Sequence, residues 1–304
     1  MRKFSSALKI IVSAAILLFL FRKANLTQGV HYLSELRYPF VLLSIVLIVL
    51  AQIARAYRLG VMVFGESAKQ RLWQSLRVQM VSFLPGIISP AKIGEATKIY
   101  MLNSESNVPM GRGLACFVAE RVLDLTLLGP LAAFGLYVFF QSGMNISLKS
   151  EAALLSIVVL VSGAGALAVG VIWARRRGIE LTDLRRTISP ERLAEASVMT
   201  VVYWGMVFLE VWCFCKASVF DPRVWHMAIV VPLALLTSMI PVSFSGFGFR
   251  EAAMVILLQR PPIATNYDRA LLVSLMYVVL GLGIPAIMGA FFWLMGKKDV
   301  IPQD

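Results

Sequence analysis

Residues 238–253 read SMIPVSFSGFGFREAA and interrupt one of the most apolar stretches of the chain. Three serines, two glycines and a proline break this stretch, and the adjacent residues Arg250 and Glu251 follow the break. In hydrocarbon an unpaired backbone group costs several kcal/mol, so irregular backbone survives there only where protein or a water-filled cavity surrounds it. The stretch therefore predicts a structured, polar break inside a membrane segment.

The composition restricts the class of protein. Of the 304 residues, 59% are hydrophobic and 15% are charged, whereas soluble domains are about half apolar and about a quarter charged. We therefore expect an all-α polytopic membrane protein with a single integral membrane domain over 1–304. The net charge of +12 comes from cations scattered between apolar runs, which indicates basic loops and contact with anionic lipid, and no nucleic acid partner.

Residues that carry metal or nucleophilic chemistry are sparse. Three cysteines lie within apolar runs, and neither of the two histidines has a cysteine near it, so we expect no metal site and no disulfide framework. The sequence contains no G-x-x-x-x-G-K-[ST], H-E-x-x-H or G-x-S-x-G motif. We therefore expect no catalytic residues, no cofactor and no enzymatic activity.

Apolar runs predict the membrane-spanning helices. The first run is closed by Arg22 and Lys23 with no cleavage site after it, which favours an uncleaved helix over a signal peptide. The other predicted spans are 40–54, 114–140, 152–173, 198–220 and 270–295, and the helix of the first of these is expected to continue past Arg55 and Arg58. Two more segments, 70–102 and 225–258, are broken by proline, glycine and serine and carry charges just after the break. We interpret both as re-entrant helical hairpins.

The two broken segments belong to an internal repeat. At an offset of 156 residues, 82–102 aligns without gaps on 238–258, and the same offset superposes the neighbouring spans. The repeats are then 1–150 and 151–304, each with about three spanning helices and one re-entrant hairpin. Because three crossings is an odd number, the second repeat enters from the opposite side, which predicts an inverted repeat whose hairpins meet near the midplane.

The distribution of Lys and Arg predicts the orientation. With both broken segments re-entrant, 17 of the 29 cations fall on the side of the N-terminus, Arg55 and Arg58 among them, and seven fall on the other side. Cytoplasmic loops carry the excess of Lys and Arg, so both termini are expected in the cytoplasm and the protein in the cell inner membrane. If only one broken segment crossed fully, the C-terminus would lie outside.

Proline, glycine and serine are expected to shape the turns of the hairpins. Proline ends an incoming helix, glycine permits a close backbone approach, and serine can cap the next helix. A helix that restarts there points its N-terminal dipole at the membrane centre, where it could hold an anion. The alternative interpretation is a pair of packed kinks. The predicted turn residues are Pro85, Gly86, Pro90, Gly94, Pro241, Gly246 and Gly248.

Charged residues follow each break and continue into the next span. A charged side chain at the bilayer centre costs about 2.5–3.5 kcal/mol, so these groups need partners or a function. Lys92 and Lys98 are each three residues from Glu95, and Arg121 can reach Asp124 at i, i+3. The candidate residues for binding a lipid head group are Ser89, Lys92, Glu95, Lys98, Glu120, Arg121, Asp124, Ser245, Arg250 and Glu251.

Two interpretations of these charges are compatible with each other. In one, ion pairs lock the hairpins to the spans. In the other, the charges line a polar cavity that recognises a charged head group, because arginine binds phosphate through two parallel hydrogen bonds and carboxylates can hold the arginine in place.

Three motifs resemble the flippase-like membrane domain of the lysylphosphatidylglycerol synthase family. They are S-P-A-K-I-G-E at 89–95, E-R-V-L-D at 120–124 and P-V-S-F-S-G-F-G-F-R-E at 241–251. The resemblance covers nearly the whole chain, without the soluble synthase domain, so it does not imply lipid aminoacylation. It implies that the chain handles lipid head groups. The residues to which the resemblance assigns a role in lipid translocation are Glu95, Glu120, Arg121, Asp124, Arg250 and Glu251.

The expected function is flippase-like or scramblase-like movement of an amphiphilic lipid between leaflets. The expected partners are membrane lipids with an anionic or polyprenyl-phosphate head group. The alternative is a non-transporting accessory protein that presents lipid to, or anchors, a glycosyltransferase or lipid-modifying enzyme. The basic loop at 175–197 would be its docking surface.

Overall fold

We describe residues 16, 18–20, 22–24, 31–89, 94–141, 189–237 and 246–296 from a computed structural model. Among these residues the chain is helical and forms no strand, which confirms the expected all-α class. The α-helices are α1 Tyr38–Phe64, α2 Leu72–Ile88, α3 Thr97–Ser106, α4 Met110–Gln141, α5 Pro190–Ala217, α6 Val224–Thr237, α7 Phe249–Gln259, α8 Tyr267–Met276 and α9 Gly283–Gly296. A π-helix, Tyr277–Leu282, joins α8 to α9.

Four of the described helical stretches are long and apolar enough to cross a bilayer. At about 1.5 Å rise per residue, each is longer than the ~30 Å thickness of the hydrocarbon layer. The four stretches are Tyr38–Ala68, Met110–Phe139, Pro190–Ala217 and Tyr267–Met295. They confirm the predicted spans 40–54, 114–140, 198–220 and 270–295. The first apolar run lies mostly, and the span 152–173 wholly, outside the described residues.

Local sequence explains where several helices begin and end. Ser189 Oγ accepts a hydrogen bond from the Arg192 N–H at 3.4 Å, and proline occupies the first position of α5, where no N–H is needed. Asn266 caps α8 by accepting from the Arg269 N–H at 3.0 Å. Asn107 ends α3 in the left-handed conformation, with φ of 52°.

The two broken segments are pairs of shorter helices. In the first, α2 ends before an extended residue, Ser89, and α3 begins after a short 3-10 turn at 94–96. Pro85 and Gly86, predicted as turn residues, lie within α2, so Pro85 does not end that helix. In the second, α7 follows a turn at 246–248. The two helices of each pair pack against each other. That each pair enters and leaves the bilayer by the same face stays a prediction.

The chain divides into two compact units that combine segments from both halves of the sequence. The first unit contains Met1–Leu47, Leu128–Gly163 and Val207–Leu282. The second unit contains Ile48–Leu127, Ala164–Met206 and Gly283–Asp304. The assignment of 1–150 and 151–304 to inverted repeats stays a prediction.

Helix α9 packs along α2 within the second unit. The rings of Trp73 and Phe292 meet edge to face with centroids 4.8 Å apart. A side chain at Gly289 would collide with the carbonyl oxygen of Met80, so glycine allows the two backbones to approach closely. This contact fixes α2, the helix that leads into the first break.

Candidate functional site

The first break folds back onto the end of α2. Ser89 Oγ accepts a hydrogen bond from the Gly94 N–H at 2.6 Å, and the Ser89 N–H donates to the Pro85 carbonyl at 3.0 Å. A Cβ on Gly94 would collide with that same carbonyl group. These contacts hold Gly94, where the described chain resumes, against the end of α2. Pro90 and Lys92 lie outside the described residues.

Gly86 makes room for the first buried carboxylate. A Cβ at Gly86 would lie 2.5 Å from Cγ of Glu95, so the Glu95 side chain covers the bare surface of α2 at this point. The side chain of Glu95 is only 1% exposed. The Glu95 carboxylate, which follows the break, therefore lies in the interior of the second unit.

Two arginines share one oxygen of Glu95. Arg55 Nη2 on α1 donates to Glu95 Oε2 at 2.7 Å, and Arg121 Nη2 on α4 donates to the same oxygen at 2.6 Å. Hydrogen bonds between ionised groups are about twice as strong as neutral ones. The carboxylate therefore holds both guanidinium groups in place.

Arg58 links three helices of the second unit. From α1, its Nη1 donates to Asp124 Oδ1 at 2.6 Å and to Thr200 Oγ1 at 3.0 Å, while its Nη2 lies 3.4 Å from Glu120 Oε1. The indole N–H of Trp204 donates to the same Asp124 oxygen at 3.0 Å. Helices α1, α4 and α5 are joined at this guanidinium.

Lys98 provides the fourth cation. Its Nζ donates to Glu120 Oε2 at 2.7 Å and to Gln79 Oε1 at 3.1 Å. The sequence placed Lys98 on the same helical face as Glu95, but these bonds connect α3 to α4 and α2. Glu95 is instead bound by Arg55 on α1 and Arg121 on α4.

Aromatic rings line both ends of this group. Tyr203 on α5 lies 5.8 Å from the guanidinium carbons of both Arg55 and Arg58. Phe117 on α4 lies 5.6 Å from Lys98 Nζ and 5.5 Å from Arg121 Cζ. Cations over ring faces gain electrostatic attraction, which grows as water is excluded.

We call these seven ionised side chains the basic cluster: Arg55, Arg58, Glu95, Lys98, Glu120, Arg121 and Asp124. It combines four cations with three carboxylates, which leaves one positive charge in excess among the described residues. The Arg121 side chain is 24% exposed, and the other six are at most 10% exposed. Arg121 is therefore the most exposed member of the cluster.

The second break lies in the first unit and has a different arrangement. Gly246 and Gly248 have φ of 81° and 90°, which favours glycine over other residues. The Gly248 N–H donates to Glu251 Oε2 at 2.5 Å, so Glu251 occupies the N-terminus of α7, where the sequence predicted an anion site. Pro241 and Ser245 lie outside the described residues.

Arg250 and Glu251 form a buried ion pair within the first unit. Arg250 Nε donates to Glu251 Oε1 at 2.9 Å, and its Nη2 contacts the same oxygen. The guanidinium also lies 5.4 Å from the ring of Phe247 and 5.2 Å from that of Tyr277. This pair is electrically neutral, in contrast to the basic cluster.

The helix continues past Arg55 and Arg58, as the sequence predicted, but the count of both among the cations of the cytoplasmic loops was wrong. They are 4% and 0% exposed, because α1 continues to Phe64 and carries both into the basic cluster. Their spacing of three residues puts both on one helical face, and this was the signal available in the sequence. Gln79, Thr200, Tyr203 and Trp204 were also missed.

Long apolar helices that enclose a buried cluster of charges define a multi-pass membrane protein with an internal polar site. The chain belongs to the family described as the lysylphosphatidylglycerol synthase TM region, whose model matches residues 6–289. This confirms the resemblance and relates the protein to lipid metabolism.

The chain is also similar to the UPF0104 membrane protein MJ1078 of Methanocaldococcus jannaschii. The two are 20% identical over 224 residues, which cover 70% of this chain and 94% of the relative. The comparison with solved structures found no match.

Proposed function

We propose that the protein moves an amphiphilic lipid with an anionic or polyprenyl-phosphate head group between the leaflets of the cell inner membrane. The observation that carries this proposal is the positive charge in excess in the basic cluster, whose most exposed member is Arg121. An anionic head group would neutralise that charge while the acyl or prenyl tails stay in lipid.

Three arginines of the basic cluster have N–H groups that could donate hydrogen bonds to such a ligand. Among the described residues the Nε atoms of Arg55, Arg58 and Arg121 are buried and have no hydrogen-bond partner. Arg55 and Arg121 both point an Nη2 atom at Glu95 Oε2. A phosphate that replaces or joins Glu95 as acceptor would meet two guanidinium groups already held in position, which lowers the ordering cost of binding.

The proposed movement uses the two helix pairs as inverted re-entrant hairpins that open alternately to the two sides of the bilayer. Their breaks support this, because Ser89 and Glu251 satisfy backbone N–H groups that would be costly in hydrocarbon. The sequence lacks a phosphate-binding loop for ATP. Movement is therefore downhill or driven by an ion gradient, with no covalent chemistry on the lipid.

A leaflet-accessibility assay on purified protein in liposomes tests the proposal. A reporter lipid with a phosphate head group is reduced or cleaved from outside, and the rate at which the inner pool becomes accessible is measured. We expect wild-type protein to accelerate this movement and Arg121→Ala to lower the rate by about tenfold, equivalent to ~1.4 kcal/mol of lost interaction.

Arg77→Ala is the matched control for that variant. Arg77 lies in the same unit and forms a partly exposed ion pair with Glu105 at 3.5 Å, outside the basic cluster. Its loss is expected to leave the rate unchanged. Movement equal to that in empty liposomes would reject transport. The predicted basic loop 175–197 is helical from Pro190 onward. Function in cells that depends on the charges of this segment, and not on Arg121, would instead support an accessory role.

A further inference from the structure

Five carboxyl side chains are buried among the described residues, and four of them have a cationic partner. Glu95 binds Arg55 and Arg121, Glu120 binds Lys98 and Arg58, Asp124 binds Arg58, and Glu251 binds Arg250. The exception is Glu210 on α5. It is 4% exposed, and within the described part of the chain its Oε1 has no hydrogen-bond partner.

The π-helix provides the space that Glu210 occupies. A Cβ at Gly281 would lie 2.5 Å from Glu210 Oε1, so the missing side chain of this glycine leaves room for the carboxyl group. Gly281 lies within Tyr277–Leu282, and short π-helical segments occur frequently at functional sites. The carboxyl group is therefore accommodated by a specific irregularity of the neighbouring helix.

The titratable groups around Glu210 in the described residues are few. Cys213 lies one turn further along α5. Across from α5, the ring of Tyr277 approaches to 3.2 Å of the position that a Cβ of Gly281 would take. The same ring lies over Arg250, which is itself paired with Glu251.

An ionised carboxylate in this setting would be expensive. Without a counter-charge, an ionised group transferred out of water costs many kcal/mol, and such a group is neutralised by protonation instead. The paired carboxylates do not face this cost, because their cations compensate for the lost solvent. Glu210 is thus the buried carboxyl group that can change its charge without breaking a described ion pair.

We propose that Glu210 is a proton-binding site and that its protonation couples lipid movement to a proton gradient. The carboxylate takes up one proton from water on one side and releases it to water on the other, and no other bond changes. The coupling rests on the proposed function, whereas the proton site stands on the geometry of Glu210 and Gly281. Glu210 and Trp204, the donor to Asp124, both belong to helix α5.

Infrared difference spectroscopy of the full-length protein in liposomes tests the proton site without any transport assay. We expect a band of a protonated carboxyl group at neutral pH that disappears on alkaline titration and is absent from Glu210→Gln. A band that persists unchanged in Glu210→Gln would overturn the assignment. Loss of the band on adding sodium at constant pH would also overturn it, in favour of a sodium site.

Gly281→Ala provides a second variant if Glu210→Gln does not fold. Its added methyl group displaces the carboxyl group from its space, so the alkaline titration of the band should shift measurably. An unshifted titration would mean that the protonated group lies elsewhere. Gly205→Ala is the control on α5, where a methyl group meets nothing within 4 Å.

The coupling is measured by leaflet accessibility with and without a pH difference across the liposome membrane. The ratio of the two rates should exceed one in the wild type and fall to one in Glu210→Gln. A wild-type ratio of one, with transport otherwise intact, would overturn the coupling alone. If wild-type protein moves no lipid, the proposed function fails while the infrared result still decides the proton site.

Discussion

Lys98 illustrates what a single charged residue contributes to this protein. Its side chain is 0% exposed and donates to Glu120 and to Gln79, so its charge is compensated entirely by neighbouring helices. Removing one member of a buried ion pair leaves the other charge uncompensated, which is more costly than removing both. The stability of the second unit should therefore depend on whether each buried charge of the basic cluster keeps its partner, and not on how many charges the cluster contains.

Lys98→Met is expected to lower the free energy of unfolding by about 3 kcal/mol, since Glu120 then keeps only the longer contact with Arg58. The apparent Tm in detergent measures this. The double variant Lys98→Met, Glu120→Gln should recover part of the loss. Equal losses in the single and double variants would show that Lys98 contributes through packing alone.

At the scale of elements, the first break depends on contacts between side chains and backbone that are close in sequence. Pro85, Ser89 and Gly94 meet within ten residues, and Gly94 has no space for a Cβ. Specific contacts therefore stabilise the break between α2 and α3. This break also determines where Glu95 enters the basic cluster.

Gly94→Ala should push the returning chain away from α2 and lower stability by about 1–3 kcal/mol, the usual cost of overpacking. Gly205→Ala, at an open position on α5, should be neutral or slightly stabilising because alanine favours the helix. Thermal unfolding of both variants in detergent measures the difference. A Gly94→Ala protein as stable as Gly205→Ala would contradict the close contact.

Local patterns were enough to predict four of the spans and a break in the chain after α2. The length of an apolar run and the presence of proline, glycine and serine act within a few residues, and the sequence displays them directly. The partners of the charged residues could not be predicted in this way. Lys98 was assigned to the neighbourhood of Glu95, yet it binds Glu120, which is 22 residues away in sequence.

Arg55 and Arg58 show why the burial of charged residues could not be predicted from the sequence. Basic residues just beyond an apolar run are typical of cytoplasmic loops, so counting them as loop residues followed the usual rule. Their acceptors lie on segments 40 and 66 residues further along the chain, Glu95 and Asp124. Only the packing of α1 against the break and α4 shows that these cations are buried.

At the scale of the whole molecule, the orientation follows from where the remaining cations lie. Removing Arg55 and Arg58 from the loop count leaves the excess of Lys and Arg on the same side, so both termini are still expected in the cytoplasm. A reporter protein that is active only in the cytoplasm, fused after residue 304, should therefore be active. An external C-terminus would mean that one broken segment crosses the bilayer completely.

The position of Arg58 also has a consequence for the biogenesis of the protein. During synthesis α1 leaves the ribosome with two arginines whose acceptors, Glu95 and Asp124, do not yet exist. Each uncompensated arginine opposes insertion by about 2.5–3.5 kcal/mol at the centre of a helix. We therefore expect the arginine-bearing end of α1 to wait at the lipid–water boundary until α4 emerges. A nascent chain stopped before α4 should leave Arg58 accessible to a water-soluble labelling reagent after substitution with cysteine, whereas the full-length chain should protect that position.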